Sequence, residues 1–562
     1  MQINSLSRTG GEIIVDQLVR QGVDHVFCVP GESYLAVLDA LHDVSINVTV
    51  CRQEGGAAMM AEAHGKLTGR PGICMVTRGP GASNALAGIH IAKQDSTPLI
   101  VFVGQIETGM REREAFQEVD YRAVFGTQTK WTTEIEDAAR IPELLARAFH
   151  VAMSGRPGPV VIALPEDMLV QMATVADAPR VEPVESAPVP EQMAQLADLL
   201  AGAKKPLAIL GGSRWTQEAV NDFVQFAEQQ HLPVAVQFRR QHLFPSSHPN
   251  FVGDIGLGSN PKLLKMAKEA DAILLVGGRM SEIASQSYTL LDIPVPQQTL
   301  IHVHPDSQEL NRVYQAQLAI NATPFQFGRA AITLPASAST ERKALVEDAH
   351  AAYEAWANPE SVNTPGALQM GRVMAYLEAH LEPDAIMTNG AGNYAAWLHR
   401  FHRFNQFNTQ LAPTSGSMGY GAPAAVGAKR VMPQRQVICF AGDGCFLMHG
   451  QEFATAVQYG LNIIVLVFDN GMYGTIRMHQ EKHYPGRVSA TNLQNPDFAA
   501  YAVAFGGHGE RVEKNEDFGP AFERAVASGK PAILHCLIDP QAITPTATLD
   551  QLRSAAQKSQ SS

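Results

Sequence analysis

The sequence predicts an α/β protein built as three consecutive doubly wound parallel-sheet domains. Short β-branched runs alternate with helix-like segments along all 562 residues, and stretches rich in proline and charge divide the runs into three sets. Strands that alternate with helical patterns imply parallel sheets covered by helices on both faces. At roughly 100–200 residues per domain, the length allows about three to five such units.

The first set of runs is His25–Pro30, Asn47–Arg52, Gly72–Arg78, Leu99–Gln105 and Pro159–Pro165. Pro179 to Pro190 (PRVEPVESAPVP) then reads as a linker. The second set is Leu207–Gly212, Pro233–Phe238, Ala272–Gly278 and Thr299–Pro305, and the helical or irregular stretch Ala336–Pro365 reads as a second connection. The third is Ala385–Gly390, Gln436–Gly442, Asn462–Asp469 and Ala532–Asp539. The implied domains are 1–180, 190–340 and 360–545, followed by a tail, 546–562, whose polar end from Gln557 is expected to fray. The similar size and pattern of the sets suggest copies of one architecture. In such sheets ligands sit at the carboxyl ends of the strands.

Composition removes several function classes. Lys plus Arg is 43 and Asp plus Glu is 55, so the net charge is −12, which argues against a duplex nucleic-acid partner. Charged residues are 17% and apolar residues 45%, a globular balance. The longest apolar runs, such as Ile463 to Phe468, fall far short of the roughly 18 residues a membrane helix needs. The start, MQINSLSRTGGEII, lacks a basic segment followed by an apolar one, so no secretory signal is expected and the location reads as cytoplasmic. The six cysteines form no CxxC pair and read as buried reduced thiols.

The most informative motif closes the run Gln436–Gly442: Gly442-Asp443-Gly444. The next run ends at Asp469 and is followed by Asn470, with one amphipathic helix expected around Gly450–Tyr459. In a right-handed βαβ unit, Asp443 and Asn470 leave the carboxyl ends of two parallel strands, and their oxygens can converge. A carboxylate with an amide oxygen is a hard-oxygen pair suited to Mg²⁺ or Ca²⁺, and flanking glycines let backbone approach phosphates. Gly-Asp-Gly alone is common in strand-to-helix turns. An Asn 27 positions after its Asp is sharper.

This pairing resembles the thiamine diphosphate signature, and the likeness extends over nearly the whole chain. The sequence is similar to the acetolactate synthase and pyruvate oxidase group of thiamine diphosphate enzymes, which implies that group's thiamine diphosphate-binding fold with a Rossmann-like central domain. The resemblance implies that Asp443, Asn470 and the carbonyl of Met472 ligate Mg²⁺. It also implies that Gly390, Ala391, Gly392 and Asn393, together with Gly442, Gly444 and Gly474, contribute to the cofactor site.

In Arg52-Gln53-Glu54-Gly55-Gly56, Glu54 follows a strand and opens a helix, where a carboxylate complements the helix dipole on local grounds. The family places its essential glutamate here. Such a carboxyl bonds a pyrimidine nitrogen, favours the imino tautomer of the opposite amino group, and so lets that imine take the proton of thiazolium C2. The family bends the cofactor over a large apolar side chain, and Met418 in Ser415-Gly416-Ser417-Met418-Gly419 stands at that place, although a gap-filling core methionine would read the same way. Gly79-Pro80-Gly81-Ala82-Ser83-Asn84 lacks a lysine and is no P-loop; in the family it lines the pyrimidine. Phe116 and Gln117 in Ala115-Phe116-Gln117-Glu118 match the substrate-pocket loop of acetolactate synthases.

The chain also departs from its relatives. The twin histidines typical of simple pyruvate decarboxylases are missing around Gln105–Gln117, which favours joining to a second carbonyl over aldehyde release. Thr475 and His479 stand where acetolactate synthases usually have Met and Trp, and Glu32 stands in a usual Pro-Gly-Gly-Ala loop; these side chains either face a more polar acceptor or are solvated loop residues. Bound FAD is a further candidate cofactor: Leu207–Gly212 and Val276–Arg279 end strands, and Arg156 sits at a flavin-contacting position. Against it, Glu166 replaces the usual Lys and Gly256-Leu257-Gly258-Ser259 departs from Gly-Met-His-Gly. His302 and His304 alternate on one strand but have no carboxylate at ligand spacing.

The resemblance thus implies decarboxylation of a 2-oxo acid, pyruvate or a relative, with carboligation to a second carbonyl, in a homodimer or dimer of dimers with active sites at the subunit interface. A decarboxylase releasing an aldehyde, or a non-catalytic thiamine-binding relative, are the alternatives. A nicotinamide-dependent dehydrogenase would show GxGxxG after a first strand, and none is found.

Overall fold

The computed structural model describes residues 7–561. It contains three six-stranded sheets, every pairing within them parallel. The chain divides into two compact units.

The first unit comprises residues up to Val184 with the segments Pro413–Gln434 and His449–Leu461. Its strands are β1 (Arg8–Thr9), β2 (His25–Cys28), β3 (Asn47–Val50), β4 (Gly72–Val76), β5 (Leu99–Gln105), β6 (Trp131–Glu134), β7 (Pro159–Pro165) and β8 (Met172–Ala173). The six-stranded sheet runs β3-β2-β4-β5-β7-β6, while β1 and β8 form a separate antiparallel ribbon. β4, β5 and β7 are buried along their whole length, as strands covered on both faces must be. The helix Glu54–Thr68 is crossed closely by Gly79–Asp95 and Gly421–Val431. A Cβ on Gly88 would fall 2.4 Å from Ala58 Cβ, and one on Gly427 would fall 2.8 Å from the Met60 carbonyl. A buried polar network ties the same helices: Tyr420 donates to Glu62 at 2.6 Å, Thr97 donates to Glu62 at 2.7 Å, and Lys66 pairs with both Glu62 and Asp95.

The second unit comprises Glu185–Ala412, Arg435–Met448 and residues from Asn462 onward. Its first sheet contains β9 (Pro206–Leu210), β10 (Val234–Gln237), β11 (Phe251–Ile255), β12 (Ala272–Val276), β13 (Thr299–His304) and β14 (Leu318–Asn321), in the order β11-β10-β9-β12-β13-β14. This is the Rossmann order. The other contains β15 (Ile386–Asn389), β16 (Gln410–Leu411), β17 (Val437–Gly442), β18 (Ile464–Asp469), β19 (His508–Val512) and β20 (Ala532–Leu537), in the order β16-β15-β17-β18-β20-β19.

Several expectations need correction. The three sets are not copies of one architecture: the first and last sheets share one strand order, and the middle sheet has another. Strands β6, β11, β14, β16 and β19 were not expected, and each is an edge strand. The single helix expected around Gly450–Tyr459 is two, Asp443–His449 and Glu452–Gln458. The tail does not fray from Gln557, because a helix runs from Leu549 to Ser561. Its Leu549 joins Met478 and Ile543 in a small core, and Arg553 bonds the fully buried Glu481 at 2.7 and 2.8 Å. Ser562 lies outside the described residues.

Candidate functional site

Asp443 and Asn470 follow neighbouring strands, since β17 pairs with β18 in parallel. Asp443 is 3% exposed and accepts the Gly444 N–H at 2.9 Å. One amide joins two carboxylates here: Asn495 Nδ2 donates to Asp443 Oδ2 and to Asp469 Oδ1, each at 2.8 Å. Burial pushes the Asp443 carboxyl up to about 6. Asp469, which burial alone would raise, is held below its ordinary value by His535 and the Gly471 N–H. Asn495 Oδ1 is buried without a hydrogen-bond partner. A buried and a partly buried carboxylate beside an orphaned amide oxygen make an oxygen-rich donor set that suits a hard cation such as Mg²⁺.

Backbone beside this set is drawn close. Met472 pairs with Asn492 in an antiparallel bridge, and Tyr473 N–H bonds the Thr491 carbonyl at 2.8 Å, which shapes the Gly471–Gly474 loop. A Cβ on Gly444 would meet Tyr473 at 2.6 Å, and one on Gly442 would meet Tyr394 at 2.9 Å, so larger residues would push the rings away. Gly390, Ala391, Gly392 and Asn393 follow β15, the other neighbour of β17. Asn393 is oriented by Thr475, which donates to its Oδ1 at 2.9 Å, so the residue standing in place of the family's Met holds the amide that follows β15. Gly474 opens the helix Gly474–His483, on which His479 is exposed, its ring stacked 6.2 Å from that of His483.

The other expected residues lie in the first unit. Glu54 is the first residue of its helix, after β3, with Gln53 as N-cap. Asn84 Nδ2 donates to Glu54 Oε2 at 2.9 Å, and a Cβ on Gly81 would come within 3.2 Å of Glu54 Oε1. The turn into Glu54 is held by Glu452, a fully buried carboxylate. It accepts the N–H of Arg52 at 3.1 Å, the N–H of Gln53 at 2.9 Å and the hydroxyl of Thr455 at 2.6 Å. Met418 is half-buried between Gly416 and Gly419, both at positive φ, in the turn before the Gly421–Val431 helix. Phe116 is 74% exposed, and Gln117, at φ 65°, lies against the Gly79 loop.

Glu32 is exposed, its side chain at 69%, as a solvated loop residue would be, and it is also ion-paired. It pairs with Arg78 at 2.6 Å, whose other Nη lies 3.0 Å from Glu166, and the same guanidinium sits 5.9 Å from the Phe116 ring centre. Burial pushes the Glu166 carboxyl up, against the pull of Arg78. Arg156, the expected flavin contact, donates to the Lys93 carbonyl and Ser96 hydroxyl, each at 2.8 Å, and so closes the end of the Gly79–Asp95 helix. In the middle sheet the glycine loops after β9 and β12 are filled by Gln237. A Cβ on Gly211 would fall 2.0 Å from its Oε1, and one on Gly278 would fall 2.3 Å from it. His302 Nε2 lies 2.9 Å from the Gly278 carbonyl rather than in a metal pair.

Sequence reasoning missed Glu452, Asp469, Asn495 and Arg78. A glutamate opening the largely apolar stretch Phe453–Val457 was a usable signal for Glu452, whereas Asn495 lies in an irregular polar loop that offered none.

The sequence matches three family models. These describe the thiamine pyrophosphate enzyme N-terminal TPP-binding domain over residues 8–124, the central domain over 193–329 and the C-terminal TPP-binding domain over 390–536. The acetolactate synthase large subunit of Corynebacterium glutamicum is 33% identical over 92% of this chain and 84% of its own. The acetolactate synthase isozyme 2 large subunit of Escherichia coli is 31% identical over 94% and 95%. A probable acetolactate synthase large subunit of Methanocaldococcus jannaschii is 29% identical over 95% and 93%. With its sheets, its glycine-lined strand ends and these likenesses, the chain belongs to the thiamine pyrophosphate enzymes, in their acetolactate synthase-like group.

Proposed function

We propose that the protein uses thiamine diphosphate and Mg²⁺ to decarboxylate a 2-oxo acid, pyruvate or a relative, and to join the remaining fragment to a second carbonyl in an acetolactate-type product. The observation that carries this reading is the pair of carboxylates, buried Asp443 and partly buried Asp469, sharing Asn495 at the ends of adjacent strands. When bound, thiamine diphosphate supplies a carbon nucleophile and an electron sink. Asp443, Asn470 and the Met472 carbonyl would hold Mg²⁺, and the glycines at 390, 392, 442, 444 and 474 would admit the diphosphate. Glu54 would hold the proton that activates the cofactor, with Asn84 fixing one carboxylate oxygen and Glu452 fixing the backbone that presents it. Met418 would be the apolar support, and Phe116 and Gln117 would line the substrate pocket.

The segments 1–180, 190–340 and 360–545 act as domains in this reading. The protein is a cytoplasmic homodimer or dimer of dimers in which each site takes Glu54 from one chain and Asp443 from the partner subunit. This reading does not require FAD. The test is incubation of purified protein with pyruvate and Mg²⁺, with and without thiamine diphosphate, and identification of every product by mass. Cofactor-dependent acetolactate is expected. Acetaldehyde as the main product would favour the decarboxylase, and no turnover would favour a non-catalytic relative.

A further inference from the structure

The amino end of the first sheet, opposite the edge that carries Glu54, holds a second group of ligand-type side chains. Asp24 immediately precedes β2, His25 is the first residue of β2, and His64 lies in the last turns of the Glu54–Thr68 helix. Asp24 Oδ1 stands 3.1 Å from His25 Nδ1 and 3.1 Å from His64 Nε2, and the three ligand atoms lie within 4.8 Å of one another. The imidazole side chains are 11% and 8% exposed, while that of Asp24 is 64% exposed.

The two contacts differ in kind. His64 Nε2 hydrogen-bonds Asp24, whereas the buried His25 Nδ1 makes no aligned hydrogen bond despite the same distance. A nitrogen that faces a carboxylate at this range, out of line for a shared proton, is placed as a ligand to a common centre would be. Tetrahedral zinc, with bonds of about 2.0–2.1 Å, sets its donor atoms roughly 3.3 Å apart. The carboxylate oxygen already stands at that range from both nitrogens, so closing the site needs the two imidazole rings to turn toward each other.

We propose that Asp24, His25 and His64 bind a first-row transition-metal dication, zinc foremost, with water at the exposed fourth position. Two imidazole nitrogens favour such ions over Mg²⁺ or Ca²⁺, so this site is chemically distinct from the all-oxygen set around Asp443. The ion would tie the start of β2 to the helix that begins at Glu54, and its binding stabilises the fold by mass action.

The test uses the full-length protein saturated with thiamine diphosphate and excess Mg²⁺, so that the Asp443 set is engaged. Zn²⁺ is titrated by calorimetry, retained metal is counted after desalting, and Co²⁺ serves as a spectroscopic probe. One Zn²⁺ per chain, a tetrahedral Co²⁺ absorption band and a higher unfolding temperature with Zn²⁺ are expected. Asp24→Asn and His64→Gln should each weaken Zn²⁺ binding by roughly a hundredfold or more and abolish the thermal shift. The exposed Asp24 carries the test if the His64 variant fails to fold. No retained zinc in the wild-type protein, or equal zinc binding in Asp24→Asn, overturns the proposal and leaves the cluster as an ion-paired triad.

Discussion

The first and last sheets have the same strand order, and their strand-order reversals fall at the same place, yet the two crevices are built in opposite ways. Between β2 and β4 the loops close on each other. A Cβ on Gly31 would land 2.4 Å from Thr77 Cβ, and Glu32 and Glu166 bracket Arg78 in ion pairs. Between β15 and β17 the loops are glycines pressed on Tyr394, and beside them Asp443 and Asp469 share a single amide. One topology therefore offers two strand-end crevices, which the side chains fill with ion pairs in the first sheet and flank with oxygen donors in the last. In the first sheet it is the edge strand β3 that leads into Glu54.

The largest effect that could break this division is expected at Asp443. Asp443→Ala should weaken Mg²⁺ and thiamine diphosphate together, roughly a hundredfold or more by calorimetry, because in the proposed function Asp443 would hold the ion that neutralises the diphosphate. Unchanged affinity would move the metal away from the last sheet.

Glu54→Gln should leave that affinity largely intact and slow hydrogen exchange at the cofactor's C2 by about 10²–10⁴-fold, as for loss of a positioned proton-transfer group. Co-expressing the two inactive variants then asks whether the crevices of two chains cooperate. Random pairing makes about half the dimers mixed, so about a quarter of all sites should be intact. No activity in a demonstrably mixed dimer would place both residues of a site on one chain.

A smaller effect is expected at Glu452. Glu452→Ala orphans the buried N–H groups of Arg52 and Gln53 at a cost of about 1–3 kcal/mol each, seen as a lower unfolding temperature. C2 exchange in the folded fraction should also slow, and a wild-type exchange rate would remove Glu452 from the positioning of Glu54.

The smallest effect concerns the C-terminal helix. Arg553, with the Gly486 N–H and Arg477, holds the Glu481 carboxyl down to about 2. That value lies below the ordinary glutamate value of about 4.3, so the docking energy is present above that pH and fades as pH falls toward 2. Pepsin should release the 549–561 segment increasingly over that interval, and Arg553→Ala should shift release to higher pH. Release independent of pH would detach the helix from this ion pair.

Strand interiors and strand ends were legible in the sequence because they are local. The central strands are apolar on both faces and stand out as continuous runs, and Asp443, Asn470 and Glu54 sit at fixed offsets from such runs. The edge strands were not legible. Trp131–Glu134 (WTTE) and His508–Val512 (HGERV) have one neighbour each and one edge toward other surroundings, so they keep polar residues and lose the apolar signature. Edge strand Asn47–Val50 (NVTV) was found because its β-branched residues mark it on their own. Glu452 lies 400 positions from Arg52, and the pairing of Arg78 with Glu32 spans 46. Partners at such separations leave no periodicity for a sequence to display. Which residue holds the Glu54 turn, which charges close the first crevice and which two carboxylates share Asn495 were decided only when the parallel strands brought their carboxyl ends side by side.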